Sequence, residues 1–184
     1  MHNLTPTMAL GGVADTIGTI TIVENAGVSL ASVAARMGGE KKTTKVLKKL
    51  LGGVPGPGRS QQHDPEAGFW MGPDQWMIGA PMATHELLAD QLKDLLGDAA
   101  SVTEQTGAWV VFDVTGAAMR DVVELLCAIP IRTMVAGDTQ RTVIHHLGCF
   151  VIRRNADDHV RILGPRASAG SLHHALTAAA HSVA

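Results

Sequence analysis

The chain has 184 residues, 46% of them apolar and 17% charged, with a formal net charge of −2. That composition specifies a globular core, excludes a disordered chain, and gives no general attraction to nucleic acid or anionic membrane. Three Trp, three Phe and no Tyr are too few aromatics for a base-stacking surface.

No stretch reaches the ~20 apolar residues of a membrane-spanning helix. The N-terminus lacks the basic, apolar, small-residue order of a signal peptide. Two cysteines, Cys127 and Cys149, supply no disulfide framework and indicate a reducing compartment. The expected location is the cytoplasm.

Residues 1–17 read as a lead-in to a domain over 18–184. Thr19 to Val23 alternate Thr with Ile or Val, the pattern of a half-buried strand. Val28 to Ala35 reads as a second strand, and two glycines separate it from a helical run over Glu40–Leu51. There Thr43, Leu47, Leu50 and Leu51 line one face and five lysines occupy the rest, as a solvated surface. Gly52 to Glu66 is rich in Pro and Gly and reads as a loop of about 15 residues. Alternating residues on both sides of Gly72-Pro73-Asp74 predict a tight hairpin. A helix capped by Thr84 follows, with Leu88, Leu92, Leu95 and Leu96 inward.

The second half repeats the plan. Ala108 to Val114 is a strand, and Met119, Val122, Val123 and Leu126 mark a helix that ends at Ile129-Pro130-Ile131. Thr139 to His146 form a strand that pairs with a hairpin turning at Asn155 to Asp158. Ser168 caps a last helix carrying Leu172, Ala175, Leu176, Ala179 and Val183 inward. Each half therefore reads strand, helix, hairpin, helix. This predicts an α+β fold of packed antiparallel or mixed sheets with outer helices, in repeated halves of about 18–98 and 99–184.

Candidate chemistry is sparse. Gly53 to Ser60 has the spacing of a phosphate-binding loop, but Arg59 replaces Lys, Pro55 and Pro57 remove amide donors, and the segment follows a helix instead of a strand. His145, His146 and Cys149 suggest a metal, yet neighbouring residues on a strand point to opposite faces, so one histidine is expected buried and the other exposed. His173, His174 and His181 lie on the last helix, where His174 and His181 share a face suited to surface or subunit contact. Arg166 to Gly170 lacks the first glycine of a nucleophile elbow. Trp70 and Trp76 flank the hairpin turn at Asp74, and an exposed aromatic pair there would mark a protein interface, so Trp70, Trp76 and Asp74 are the candidate contact residues. No catalytic, cofactor-binding or metal site is assigned.

Taken in order, several pieces resemble the gamma-subunit family of heterotetrameric sarcosine oxidase. They are Trp70 to Ile78, Ser101-Val102-Thr103-Glu104-Gln105-Thr106, Ala108 to Gly116, the helix up to Cys127, and the Ser168 to Leu176 helix. Val28 to Arg36 matches more loosely. Thr106 stands where the family usually has Ser, and Ala117 where Pro is common.

The resemblance implies a complex that oxidatively demethylates sarcosine to glycine. It further implies FAD, FMN, NAD and tetrahydrofolate in the alpha and beta subunits, zinc in the delta subunit, and those three subunits as partners. For this chain it implies a scaffolding role on an aminomethyltransferase-type folate-binding fold, without cofactor. Two other functions fit the same elements. One is a stand-alone folate-dependent aminomethyl or methyl transferase, with Asp74, Asp113 and Glu104 as the available carboxylates. The other is a small-ligand regulatory module.

Overall fold

The computed structural model describes residues 7–156 and 158–184. The start of the expected lead-in and Asp157 of the expected 155–158 turn lie outside the described residues. In chain order the elements are β1 (Ala14–Ile17), β2 (Ile20–Glu24), β3 (Val28–Ala35), α1 (Glu40–Leu51), β4 (Ser60–His63), β5 (Glu66–Gly72), β6 (Gln75–Pro81) and α2 (Leu88–Leu96). They continue with β7 (Ala100–Glu104), β8 (Trp109–Thr115), α3 (Met119–Leu126), β9 (Thr139–Ile144), β10 (Leu147–Arg153), β11 (His159–Pro165) and α4 (Ala169–Val183).

The strands form two sheets ordered β1-β2-β8-β11-β10-β9 and β4-β5-β6-β3-β7, antiparallel at every pairing. The chain divides into two compact units. One is Gly27–Gly107; the other joins the residues before Gly27 to Ala108–Ala184.

The repeat is present in sequence order, where β2-β3-α1-β4-β5-β6-α2 is followed by β7-β8-α3-β9-β10-β11-α4. In space the first strand of each series is exchanged. β2 pairs with β8, and β7 pairs with β3. The sequence series thus divides near residues 98 and 99, whereas the compact units divide after Ala26 and after Gly107.

Each unit buries one face of its sheet beneath two helices. In the unit Gly27–Gly107, Leu47 and Leu51 of α1 and Leu88, Leu92 and Leu96 of α2 pack with Ala31, Val33, Trp76 and Ile78. In the other unit, Met119, Val122 and Val123 of α3 and Leu172 and Leu176 of α4 pack with Val110, Phe112, Val114, Val151 and Ile162. Truncating any of these leucines to alanine costs about 2–5 kcal/mol, because the hole it leaves refills only in part.

Local chemistry explains the element ends and several departures from the periodic reading. Glu40 in the first turn of α1 and Lys48 and Lys49 in the last complement the helix dipole, and Gly52 closes the helix at φ +70°. Helix α2 begins at Leu88, not at Thr84. The Thr84 hydroxyl bonds the Pro81 carbonyl and the His85 ring within a turn, so it caps no helix. Leu95, expected inward, is exposed, because Leu88, Leu92 and Leu96 already fill the inward stripe at four-residue spacing.

The Gly52–Glu66 loop is shorter than expected. Ser60–His63 pairs with Glu66–Phe69 as a strand, so the β4-β5-β6 meander holds one strand more than the expected hairpin. At the last helix, Ser168 makes no side-chain cap and ends a short 3₁₀ turn instead. His145 and His146 lie in the turn between β9 and β10 and not on a strand; both are exposed.

Candidate functional site

The β5–β6 hairpin carries the three sequence-selected contact residues. Pro73 followed by Asp74 at φ +53° is the signature of a type II turn, and the Asp74 carbonyl accepts the Ala35 amide at 2.9 Å. Asp74 is exposed and Trp70 half-buried. Trp70 and Trp76 are direct cross-strand partners, but Trp76 is only 4% exposed and donates its indole N–H to the Pro55 carbonyl at 2.9 Å. The two indoles therefore do not form an exposed pair. Trp76 is a core residue that also fastens the Gly53–Ser60 loop.

The strongest electrostatic feature lies on β8. Asp113 faces Arg161 across the β8–β11 ladder and accepts both arms of its guanidinium fork, Nε at 2.8 Å and Nη2 at 2.9 Å. The His159 Nε2 donates to Oδ1 at 2.9 Å, the tautomer required by an acceptor-only carboxylate. Asn25 donates to Oδ2 at 2.7 Å. Burial opposes ionisation, yet the bonds from His159, Arg161 and Asn25 outweigh it and hold the Asp113 carboxyl well below the usual carboxylate range.

A carboxylate so fully engaged has little basicity to offer a proton in catalysis. It ties the end of β2 to the centre of its sheet, since the Asn25 amide also bonds the Val111 carbonyl at 2.8 Å. Sequence periodicity could not find this cluster, because its members become neighbours only through the β2-β8-β11 register.

Glu24 performs a second anchoring. It is 5% exposed, and its carboxylate accepts the amides of Ala9, Leu10 and Gly12 at 2.6–3.2 Å. This holds Ala9 and Leu10 against the core of their unit. His173 bonds Asp15 at 2.7 Å and stacks on Phe112, while His174 and His181 stay exposed.

Asp74 and Glu104, the other two carboxylates available to a folate-dependent transferase, belong to the unit Gly27–Gly107. Glu104 is exposed and accepts the Thr106 amide at 2.6 Å. The Thr106 hydroxyl accepts the Leu30 amide at 2.9 Å, a role that needs a hydroxyl and is met by Thr as by Ser.

Cys149 is buried and its thiol is pushed up to about 11 by burial. Burial also raises Cys127. Neither has the thiolate character of a nucleophile. Among the described residues no group of three or more His, Cys, Asp or Glu is placed to hold a metal, and no helix is long and apolar enough to cross a membrane.

The α+β fold, with its two antiparallel sheets and four helices, is shared with known structures. No family model matches the sequence and no curated protein matches it. Among solved structures, the chain is similar to heterotetrameric sarcosine oxidase from Corynebacterium sp. U-96 in complex with pyrrole 2-carboxylate. The TM-score is 0.78 at 21% identity, over 95% of this chain and 90% of that one. It is also similar to glycine cleavage system aminomethyltransferase T from Bartonella henselae, with a TM-score of 0.66 at 13% identity over 88% of this chain and 46% of that one. The fold is thus shared with a sarcosine oxidase chain along nearly its whole length, and with under half of the aminomethyltransferase.

Proposed function

We propose that this chain is the non-catalytic gamma subunit of a heterotetrameric sarcosine oxidase, a complex that oxidatively demethylates sarcosine to glycine. The observation that carries this reading is the reciprocal coverage, 95% of this chain against 90% of a chain from such an oxidase. The ordered resemblance from Trp70 to Leu176 points the same way. In this role alpha, beta and delta chains are the partners and carry the FAD, FMN, NAD, tetrahydrofolate and zinc. This chain contributes packing surface in the cytoplasm. Exposed Asp74 and half-buried Trp70 form the hairpin's share of the contact, with Trp76 supporting them from the core.

A second reading, a folate-dependent aminomethyl or methyl transferase, draws on the likeness to aminomethyltransferase T. The engagement of Asp113 by four donated hydrogen bonds weighs against it, because a pterin would have to displace them. Equilibrium titration of the purified chain with tetrahydrofolate and with FAD separates the readings. The gamma-subunit reading expects a colourless protein with no saturable affinity for either. Stoichiometric flavin would overturn it, and saturable folate binding would favour the transferase.

A further inference from the structure

The β9–β10 turn brings two imidazoles together, those of His145 and His146. We propose that His145 and His146 form a surface chelate for a single divalent transition-metal ion of the zinc, nickel or copper type. This stands apart from the subunit assignment and needs no partner chain.

The two histidines occupy both central positions of a two-residue turn closed by the Ile144–Leu147 pair, at φ +46° and +70°. Positive φ at both positions is the type I′ geometry, whose ordinary occupants are Asn and Gly. Side-chain-bearing residues adopt it at a steric cost, and here no burial compensates, because both histidines are exposed. A hairpin that needed only to turn would be better served by Asn-Gly. Local strain of this kind, observed and not assumed, is where a functional constraint is sought.

The same backbone removes the objection that holds for a strand. Two adjacent strand residues point to opposite faces, but in this turn the His145 and His146 ring centres lie 5.7 Å apart, with planes inclined at 54°. Two imidazoles sharing one ion through metal–nitrogen bonds of about 2.1 Å hold their ring centres roughly 4.5–5.5 Å apart, for square to trigonal angles. A small rotation of exposed side chains closes that difference.

Neutral imidazole suits zinc, copper and nickel. With two protein ligands and water in the other positions, the ion exchanges readily and contributes nothing to the fold. Other histidines are differently placed. His159 and His173 are held by Asp113 and Asp15, and His85 stands 3.6 Å from Glu66. His174 and His181 lie seven residues apart on α4, roughly 10 Å along the helix axis.

The test is titration of the full chain with Cu²⁺, followed by calorimetry and by electron paramagnetic resonance. We expect one saturable equivalent with imidazole-nitrogen hyperfine structure, displaced only by a large excess of Zn²⁺. The double variant His145→Asn/His146→Gly supplies the residues the turn prefers, so the hairpin persists. We expect it to lose at least about tenfold in affinity, together with the nitrogen signature. The variant His174→Gln/His181→Gln should bind as wild type does. The proposal is overturned if the wild-type chain shows no saturable equivalent, if the Asn-Gly variant keeps its affinity, or if the α4 variant loses it.

Discussion

Asp113 shows how one residue organises its surroundings. Its carboxylate engages Arg161, His159 and Asn25 together, so removing its charge strands a cation and two donors. Asp113→Asn should cost roughly 2–3 kcal/mol at neutral pH, somewhat below the fully buried range because Arg161 and His159 keep limited solvent access. The pH dependence has a definite sign. The folded pKa lies below the unfolded value of about 3.9, so the contribution is complete above that value and is lost as pH falls through the folded one. Urea unfolding at about pH 7, 4 and 3 should show this decline in the wild type and a shallower one in Asp113→Asn. Equal slopes would mean that the carboxylate is not selectively stabilised. The cysteines give a second residue-scale prediction: with Cys149 raised to about 11 and Cys127 also raised by burial, a thiol reagent at neutral pH should label both slowly until the chain unfolds. Rapid labelling of native protein would contradict the buried placement.

At the scale of elements, loops and turns are fixed by single contacts. Trp76→Phe keeps the core ring but leaves the Pro55 carbonyl without its 2.9 Å indole donor, at an expected cost of about 1–2 kcal/mol. Amide exchange over residues 53–59 should accelerate while that of α2 does not; unchanged exchange would show that the bond does not hold the loop. Gly116→Ala is the severe case. A Cβ there would lie 1.8 Å from the Thr19 carbonyl oxygen, at φ +123°. Gly107→Ala meets nothing within 4 Å. Thermal melts should show a large drop for the first and almost none for the second, and similar melts would refute the close approach of β8 to the β1–β2 turn.

Strongly periodic elements were readable from sequence. The leucine stripes of α1 and α2, and the alternation of β8, report directly which side chains meet the core. The start of α2 was not, because Thr84 fits either a cap or a turn until Pro81 and His85 are in place. Strand β4 was hidden too: Ser60-Gln61-Gln62-His63 has no apolar alternation, and it pairs because β5 offers an open edge. The candidate site was legible only in outline. Trp70, Asp74 and Trp76 announced a hairpin, but which indole is buried depends on the 52–59 loop folding back over one of them.

For the whole molecule, the exchange of β2 and β7 matters most. The sequence repeat suggests two separable halves, yet each half keeps its first strand in the other's sheet. Fragments 1–98 and 99–184 should each lack native circular dichroism and recover it when mixed. A folded 1–98 fragment would count against the exchange. That exchange was invisible in sequence because alternation in Thr19 to Val23 specifies a strand but not its partner.

The proposed role, a cofactor-free body in a flavin-bearing oxidase, is tested most directly by co-expressing this chain with the alpha, beta and delta chains. Mass and flavin absorbance of the purified assembly would be compared with those of the same three chains produced without it. This chain should join in a fixed ratio, adding its 19.3 kDa per copy and no flavin. The proposed role would be contradicted if the chain eluted apart from the other three, or if its presence raised the flavin content.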